Sequence, residues 1–223
     1  MRLKNLFLSA AFSLASFLAV SAKDTPGVIT TVGGEKIECA DIDTRIFGKD
    51  LKYKLVSGGD RIELAQDKID FFQLYYSDAP TELGTKWRCF YVMDDSKWVK
   101  GENKISKSKM GWAQCLVDAP TSLYLIIISN YNPNTGTTYQ YKYYIHRDEW
   151  DYAVEIPAIS KLKKKAVVAF FTKLFQNNKT MLNQLNAKGY EFIESFFAHR
   201  IKTGDSNGLS TLILEYNNTV DKK

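Results

Sequence analysis

The hydrophobic period changes once along this chain, and that change limits the fold more than any other feature. Over residues 28–156 apolar and polar residues alternate in short runs; after Pro157 apolar residues recur at the spacing of a helix face. Strands first and helices last is the pattern of an α+β protein, with an antiparallel β-rich N-terminal two thirds and helices in the C-terminal third.

In the β-rich part, residues 28–31 run into Gly33-Gly34 and are followed by an alternating stretch at 36–43. Residues 51–56 meet Gly58-Gly59-Asp60 and continue with the same period through 61–65. Each pair reads as a hairpin, and with residues 69–74 they predict a small β-roll or barrel over residues 23–77. Asp78-Ala79-Pro80 interrupts the ladder, because proline cannot donate to it, and opens a second region, 78–223. There residues 87–93, 112–117, 122–129, 137–146 and 150–156 predict a larger antiparallel sheet, with the uniformly apolar 123–128 as a central strand buried on both faces. Residues 94–109, polar and lysine-rich around Gly101, read as a solvated loop or frayed hairpin, and residues 130–136 as a turn.

Beyond Pro157, Ser160 is placed to cap a helix reaching about Asn177, with Leu162, Ala166, Ala169, Phe170 and Leu174 on its inner side. Residues 180–187 predict a second helix with Met181, Leu182 and Leu185 inward and Gly189 as its stop. Residues 190–201 fit a helical spacing although β-formers dominate them, and residues 209–217 predict a last short helix.

The start of the chain predicts its destination. Arg2 and Lys4 give a positive beginning, residues 6–18 are apolar except for Ser9, Ser13 and Ser16, and Val20-Ser21-Ala22 supplies the small residues a signal peptidase requires. Residues 1–22 therefore read as a signal peptide, and the protein is expected in the periplasm or outside the cell. No later segment approaches the roughly 20 apolar residues of a membrane span, so no integral membrane segment is expected after its removal. Removing 22 of 223 residues leaves 201, enough for a well-buried core, and takes the formal charge from +5 to +3 as Arg2 and Lys4 leave. That charge is spread rather than gathered into a basic face interleaved with aromatics, which argues against a nucleic-acid partner.

Some of these residues carry a resemblance. Gly34-Glu35-Lys36-Ile37-Glu38-Cys39, Leu51-Lys52-Tyr53-Lys54, Arg61-Ile62-Glu63-Leu64 and Asp67-Lys68-Ile69-Asp70 resemble the N-terminal β-module of uncharacterised exported proteins common in the Bacteroidota. Ala169-Phe170-Phe171 and residues 209–217 are similar to the helical ending of such proteins, which often continue into an Asp-Cys-Pro turn where this chain has Thr172-Lys173-Leu174. The resemblance implies export; the family has no assigned activity, and no catalytic residue comes with it.

An oxidising compartment asks how the three cysteines are used. Cys89 and Cys115 lie in neighbouring apolar segments that could be adjacent strands, which makes them the candidate disulfide; alternatively Cys39, Cys89 and Cys115 are all small buried hydrophobes. A nucleophilic Cys39 would need a histidine partner, and only His146 and His199 exist, with no family signature around any cysteine.

The densest chemical cluster is His146-Arg147-Asp148-Glu149-Trp150-Asp151. On a strand His146 and Asp148 share a face and could hold a metal with a third ligand, but Arg147 lies between them and no second histidine follows at ligand spacing. The cluster reads as a polar turn, and no metal or cofactor is expected. Glu149 and Asp151 as acid and base, with His146, are the basis of an alternative reading, a hydrolase of envelope glycans or peptides. Tyr139, Tyr141 and Tyr143, alternating on one strand face, form with Trp150 the candidate binding surface: aromatics in line offer apolar area with a polar tip to sugar rings or extended peptides. The same face could instead be covered by the C-terminal helices. Lys161, Lys163, Lys164 and Lys165 could meet an anionic surface or simply face water, and Asn178-Lys179-Thr180 and Asn217-Asn218-Thr219 match the N-glycosylation pattern by chance. The expectation is a non-enzymatic envelope module that binds a glycan or protein partner.

Overall fold

The structure, a computed structural model, describes residues 25–43, 50–79, 81–106, 111–197 and 207–220. The signal-peptide reading of residues 1–22 lies outside the described residues, as does His199. The chain divides into two compact units, Met1–Lys86 and Trp87–Lys223.

In the first unit the alternating runs form antiparallel strands: β1 (Gly27–Thr31), β2 (Lys36–Ile42), β3 (Leu51–Leu55), β4 (Ile62–Leu64) and β5 (Ile69–Tyr75). Their spatial order is β4-β3-β2-β1-β5. The inward set includes Ile29, Cys39, Ile42, Leu51 and Phe72, all buried. Gly27 is required by close approach, since a Cβ there would lie 2.3 Å from the carbonyl oxygen of Gln73 on β5. Asp41, also buried, accepts from the Thr25 N–H at 3.0 Å and pairs with Arg61, whose guanidinium also reaches Asp43 at 3.1 Å. Burying the Asp41 carboxylate is tolerated because these donors replace its water.

The last two residues of β6 (Leu83–Arg88) open the second unit, pairing Trp87 with Gln114 and Arg88 with Ala113. There follow β7 (Tyr91–Met93), α1 (Asp95–Lys100), β8 (Ala113–Val117), β9 (Thr121–Asn132), β10 (Gly136–Arg147) and β11 (Tyr152–Glu155). The helices α2 (Lys164–Leu174), α3 (Lys179–Lys188), α4 (Tyr190–Ser195) and α5 (Asn207–Thr219) complete it. The strand order is β8-β9-β10-β11-β7, antiparallel except for the parallel pair β11–β7. Phe170, Phe171, Met181, Ile193, Leu212 and Ile213 from the helices pack with Leu123, Ile145 and Val154 from the sheet in one buried cluster. The fold class is therefore α+β, as the change of period predicts.

Two local expectations are corrected. The lysine-rich stretch after Met93 begins with α1, whose N-cap Asp94 accepts from the Ser96 and Lys97 N–H groups and whose C-cap Gly101 has φ +75°. A helix this short is held by packing: buried Trp98 lies 5.0 Å from Phe170 and 5.7 Å from Trp150, centroid to centroid. The second correction concerns α2. Ser160 makes no side-chain cap bond, and a single 3-10 turn, Lys161–Lys163, precedes the helix. The buried positions are Val167, Phe170, Phe171 and Leu174, while Ala166 and Ala169 are exposed and Leu162 is 98% exposed. Turning the helix to this face buries Phe171 and Val167 instead of two alanines, and a buried phenylalanine contributes about 2 kcal/mol.

Candidate functional site

β9 and β10 are the longest strands, 12 residues each, and their register runs unbroken from Thr121 opposite Arg147 to Asn132 opposite Gly136. Residues directly opposite share a face. One face of the ribbon therefore carries Leu123 with Ile145, Leu125 with Tyr143, Ile127 with Tyr141, Ser129 with Tyr139 and Tyr131 with Thr137. The other carries Ser122 with His146, Tyr124 with Tyr144, Ile126 with Lys142 and Ile128 with Gln140.

The two ends of this ribbon differ. At its base both faces are covered: Leu123, Ile145 and half-buried Tyr143 belong to the helix-side core, while Tyr124, Ile126 and Tyr144 pack with Phe90, Cys115 and Ala153 on the far side. Burial there raises the phenol pKa values of Tyr124 and Tyr144 well above the ordinary value. Beyond the core every residue from 129 to 141 is exposed. Tyr131, Tyr139 and Tyr141 are 75%, 46% and 43% exposed on the face that, nearer the base, lies against the helices. Within residues 129–141 there is no Asp, Glu, Lys or Arg in a chain that is 25% charged. The first charge inward is Lys142, paired with Glu155 at 3.0 Å.

The tip is organised by its own polar groups. Asn132 Oδ1 accepts from the Asn134 N–H at 2.8 Å, Asn132 O from the Thr135 N–H at 3.2 Å, and Gly136 takes φ +79° to complete the turn. The Thr138 hydroxyl donates to Asn130 O at 3.3 Å. Tyr131 is a site residue that the sequence reading leaves in the turn. Its signal was present in the alternation of Leu123, Leu125, Ile127, Ser129 and Tyr131, which continues past the end of the apolar run.

Trp150 does not join the tyrosines. It follows β10 at the opposite end, stacked on Tyr152 at 5.4 Å and beneath the Arg147 guanidinium at 5.0 Å. Tyr141 and Arg147 are six positions apart, about 20 Å along a strand. Tyr143 is intermediate, anchored in the core while its two neighbours on that face, Tyr141 and Tyr139, are free of it.

The His146–Asp151 cluster is dispersed by the pleat. His146 is buried on the far face, its Nε2 3.0 Å from Trp150 O and its ring 4.8 Å from that of Phe90. Arg147 points to the helices, donating to Leu174 O at 3.0 Å and to the Tyr216 hydroxyl at 2.5 Å. Asp148, Glu149 and Asp151 face solvent. Among the described residues no group of three or more His, Cys, Asp or Glu side chains is placed to hold a metal ion.

Cys89 and Cys115 are buried thiols not joined by a disulfide, a correction with a geometric cause. Continuing the register of Arg88 with Ala113 sets Cys89 opposite Trp112, three positions from Cys115. That odd offset puts the two side chains on opposite faces about 10 Å apart, beyond the reach of a disulfide. In the first unit, burial and the neighbouring Glu38 carboxylate push the Cys39 thiol up to about 12, which suppresses its thiolate. The four lysines at 161–165 are exposed; Lys161 lies 4.0 Å from Glu194 and Lys164 sits 5.2 Å over the Tyr190 ring. Asn178 is fully buried and Asn217 is bonded to Thr121 and Ile213, so both acceptor patterns are structural asparagines.

No family model matches the chain, and neither a curated protein nor a solved structure shows significant similarity to it. No helix among the described residues is long and apolar enough to cross a membrane.

Proposed function

We propose that this is an exported, non-enzymatic envelope protein that captures a glycan or protein partner on the outer half of the β9–β10 ribbon. One observation carries the reading: Tyr131, Tyr139 and Tyr141 stand exposed on a single uncharged face whose inner half is anchored in the core. Tyrosines beside Ser129 and Thr137 on the same face give rigid contact area with adaptable hydrogen bonding at little entropic cost, a composition found in many evolved binding surfaces. Export rests on the N-terminal segment, and the absence of a gathered acid and base around His146 favours binding over hydrolysis.

The test is capture of envelope fractions and of a glycan panel by the purified protein, beside a Tyr131→Ser/Tyr139→Ser/Tyr141→Ser variant. Tyr143 is left intact because it packs in the core. Capture that falls at least tenfold in a variant with unchanged circular dichroism supports the reading; capture equal in both forms overturns it.

A further inference from the structure

We infer that the outer edge of β10 pairs with the same edge of a second copy of this chain, about a two-fold axis at Tyr139. The inference rests on backbone geometry rather than on the tyrosine-capture reading, and goes beyond it.

The edge is open because β11 stops. Tyr144 and Ile145 pair with Glu155 and Val154, the Ile156 N–H donates to Tyr143 O at 2.8 Å, and Pro157, which follows, has no N–H to extend the ladder. Among the described residues no strand pairs with β10 on that side beyond Tyr143. In an antiparallel ladder successive residues direct their amide groups to alternate sides. Since Tyr143 faces β11, Tyr141, Tyr139 and Thr137 face the same open edge, and Lys142, Gln140 and Thr138 face β9.

Open edges are normally blunted by shortness, charge, proline or a bulge. The chain does this elsewhere: β4 and β7, which end the strand order, have 3 residues each, and β4 carries Glu63 paired with Lys52 at 3.8 Å. The β10 edge has none of these devices. It is regular, uncharged and without proline from Gly136 to Tyr141.

The complement such an edge needs is an uncharged, extended strand of equal length with its own edge unpaired, and this ribbon is that strand. The open stretch is centred on Tyr139, so a two-fold axis there sets Thr137 opposite Tyr141 of the second copy, Tyr139 opposite its own equivalent, and Tyr141 opposite Thr137. All three are hydrogen-bonded pairs, about six backbone bonds in all. The pairing ends where β11 begins, and it is closed rather than filament-forming because the same edge is used on both copies. With the axis perpendicular to the sheet, the tyrosine faces of both copies lie on one side. The interface is small, so the dimer is expected to be weak and visible at roughly 10–100 μM protein.

Sedimentation velocity across a concentration series, with a Thr137→Pro variant and a Tyr139→Cys variant, tests this. Thr137→Pro removes a donor from the open edge and none from the β9 ladder, and should weaken association at least tenfold; Tyr139→Cys should form a covalent dimer under mild oxidation, since directly paired Cα atoms lie within disulfide range. Tyr131→Cys, on the other strand, should not. The inference is overturned by a monomer at every concentration, by a dimer that Tyr139→Cys does not cross-link, or by open-ended assemblies, which would instead join the β9 edge to β10. Should Thr137→Pro fail to fold, the two cysteine variants decide alone. A parent protein that is monomeric at every concentration yet retains tyrosine-dependent capture would sink this inference and leave the proposed function standing.

Discussion

Replacing Arg147 should separate two contributions that the structure joins in one side chain. Arg147 is anchored at the inner end of β10, with its side chain 12% exposed. Its guanidinium donates to Leu174 O at the C-terminal end of α2 and to the Tyr216 hydroxyl of α5, and lies 5.0 and 5.6 Å over the Trp150 and Tyr216 rings. It thus ties the sheet to two helices, and its charge favours the negative end of α2. A hydrogen bond from a charged donor contributes about 1.5–3 kcal/mol and a partly desolvated cation–π contact about 1 kcal/mol. Against this stand the desolvation of the cation, a buried Nε with no hydrogen-bond partner, and a nearest carboxylate, Glu149, that is exposed and 3.9 Å away. Arg147→Ala, which also loses the packing of the alkyl stem, should cost about 3 kcal/mol, whereas Arg147→Met, which keeps the stem and removes the buried charge, should cost about 1 kcal/mol. Urea unfolding followed by far-ultraviolet circular dichroism reads this directly, because every α-helix described is in the second unit. With a slope near 2 kcal/mol/M the alanine variant should unfold about 1.5 M earlier. An alanine variant within about 0.5 kcal/mol of the parent would refute the claim that Arg147 links sheet and helices.

Asn178, fully buried, caps α3 through Oδ1 to the Met181 N–H at 3.0 Å and holds the end of α5 through Nδ2 to Tyr216 O at 3.3 Å and Thr219 Oγ1 at 2.9 Å. Asn178→Ala should therefore cost about 3 kcal/mol in thermal or urea unfolding, and Asn178→Asp, which keeps the cap but turns a carboxylate onto the Tyr216 carbonyl, should remain well below the parent. In the first unit the thiol of Cys39 is raised from 9.0 to about 12, chiefly by burial. The unfolded chain releases that proton first as pH rises, so its contribution to stability is fully present below about pH 9 and lost progressively toward pH 12. Stability measured against pH should fall across that window in the parent and less steeply in Cys39→Ala, and a thiol reagent should reach Cys39 only on unfolding.

What the sequence made legible was whatever one face of one element decides. Strict alternation placed the strands of the first unit, and the change of period at Pro157 placed the helices, because burial of one face forces those patterns. It failed where partners decide. α1 has a polar, lysine-rich sequence and exists because Trp98 meets Phe170 and Trp150 from elsewhere in the chain. The inner face of α2 differs from the expected one because alanine fits either side of a helix, while Val167 and Phe171 join the buried cluster, Phe171 against the Phe170 and Phe175 rings. The cysteine pairing failed on register, which proximity in sequence does not reveal. Tyr139, Tyr141 and Tyr143 look equivalent as residues; how far the helical layer reaches along the ribbon sets Tyr143 apart, and that length is a tertiary property.

The same reasoning explains how an exposed ribbon keeps its tyrosines on one side. A two-stranded ribbon alone is marginal in water, and slipping its register by one residue would move every side chain of one strand to the other face. Here the base cannot slip. Leu123 and Ile145 are locked into the helix-side cluster and Tyr124 and Tyr144 into the opposite one, so a shift of either strand would drive a buried residue on each face into the wrong core. The outer half inherits that register along an unbroken ladder, which places Tyr131, Tyr139 and Tyr141 together on an exposed stretch outside the described core clusters. The register of this candidate surface is thus fixed at the far end of the ribbon from its exposed tyrosines. Substitutions at Tyr124 or Tyr144 should weaken capture by loosening the register, before they unfold the unit, while Ser or Thr exchanges at Asn130 and Gln140, which point to the other face, should leave it unchanged.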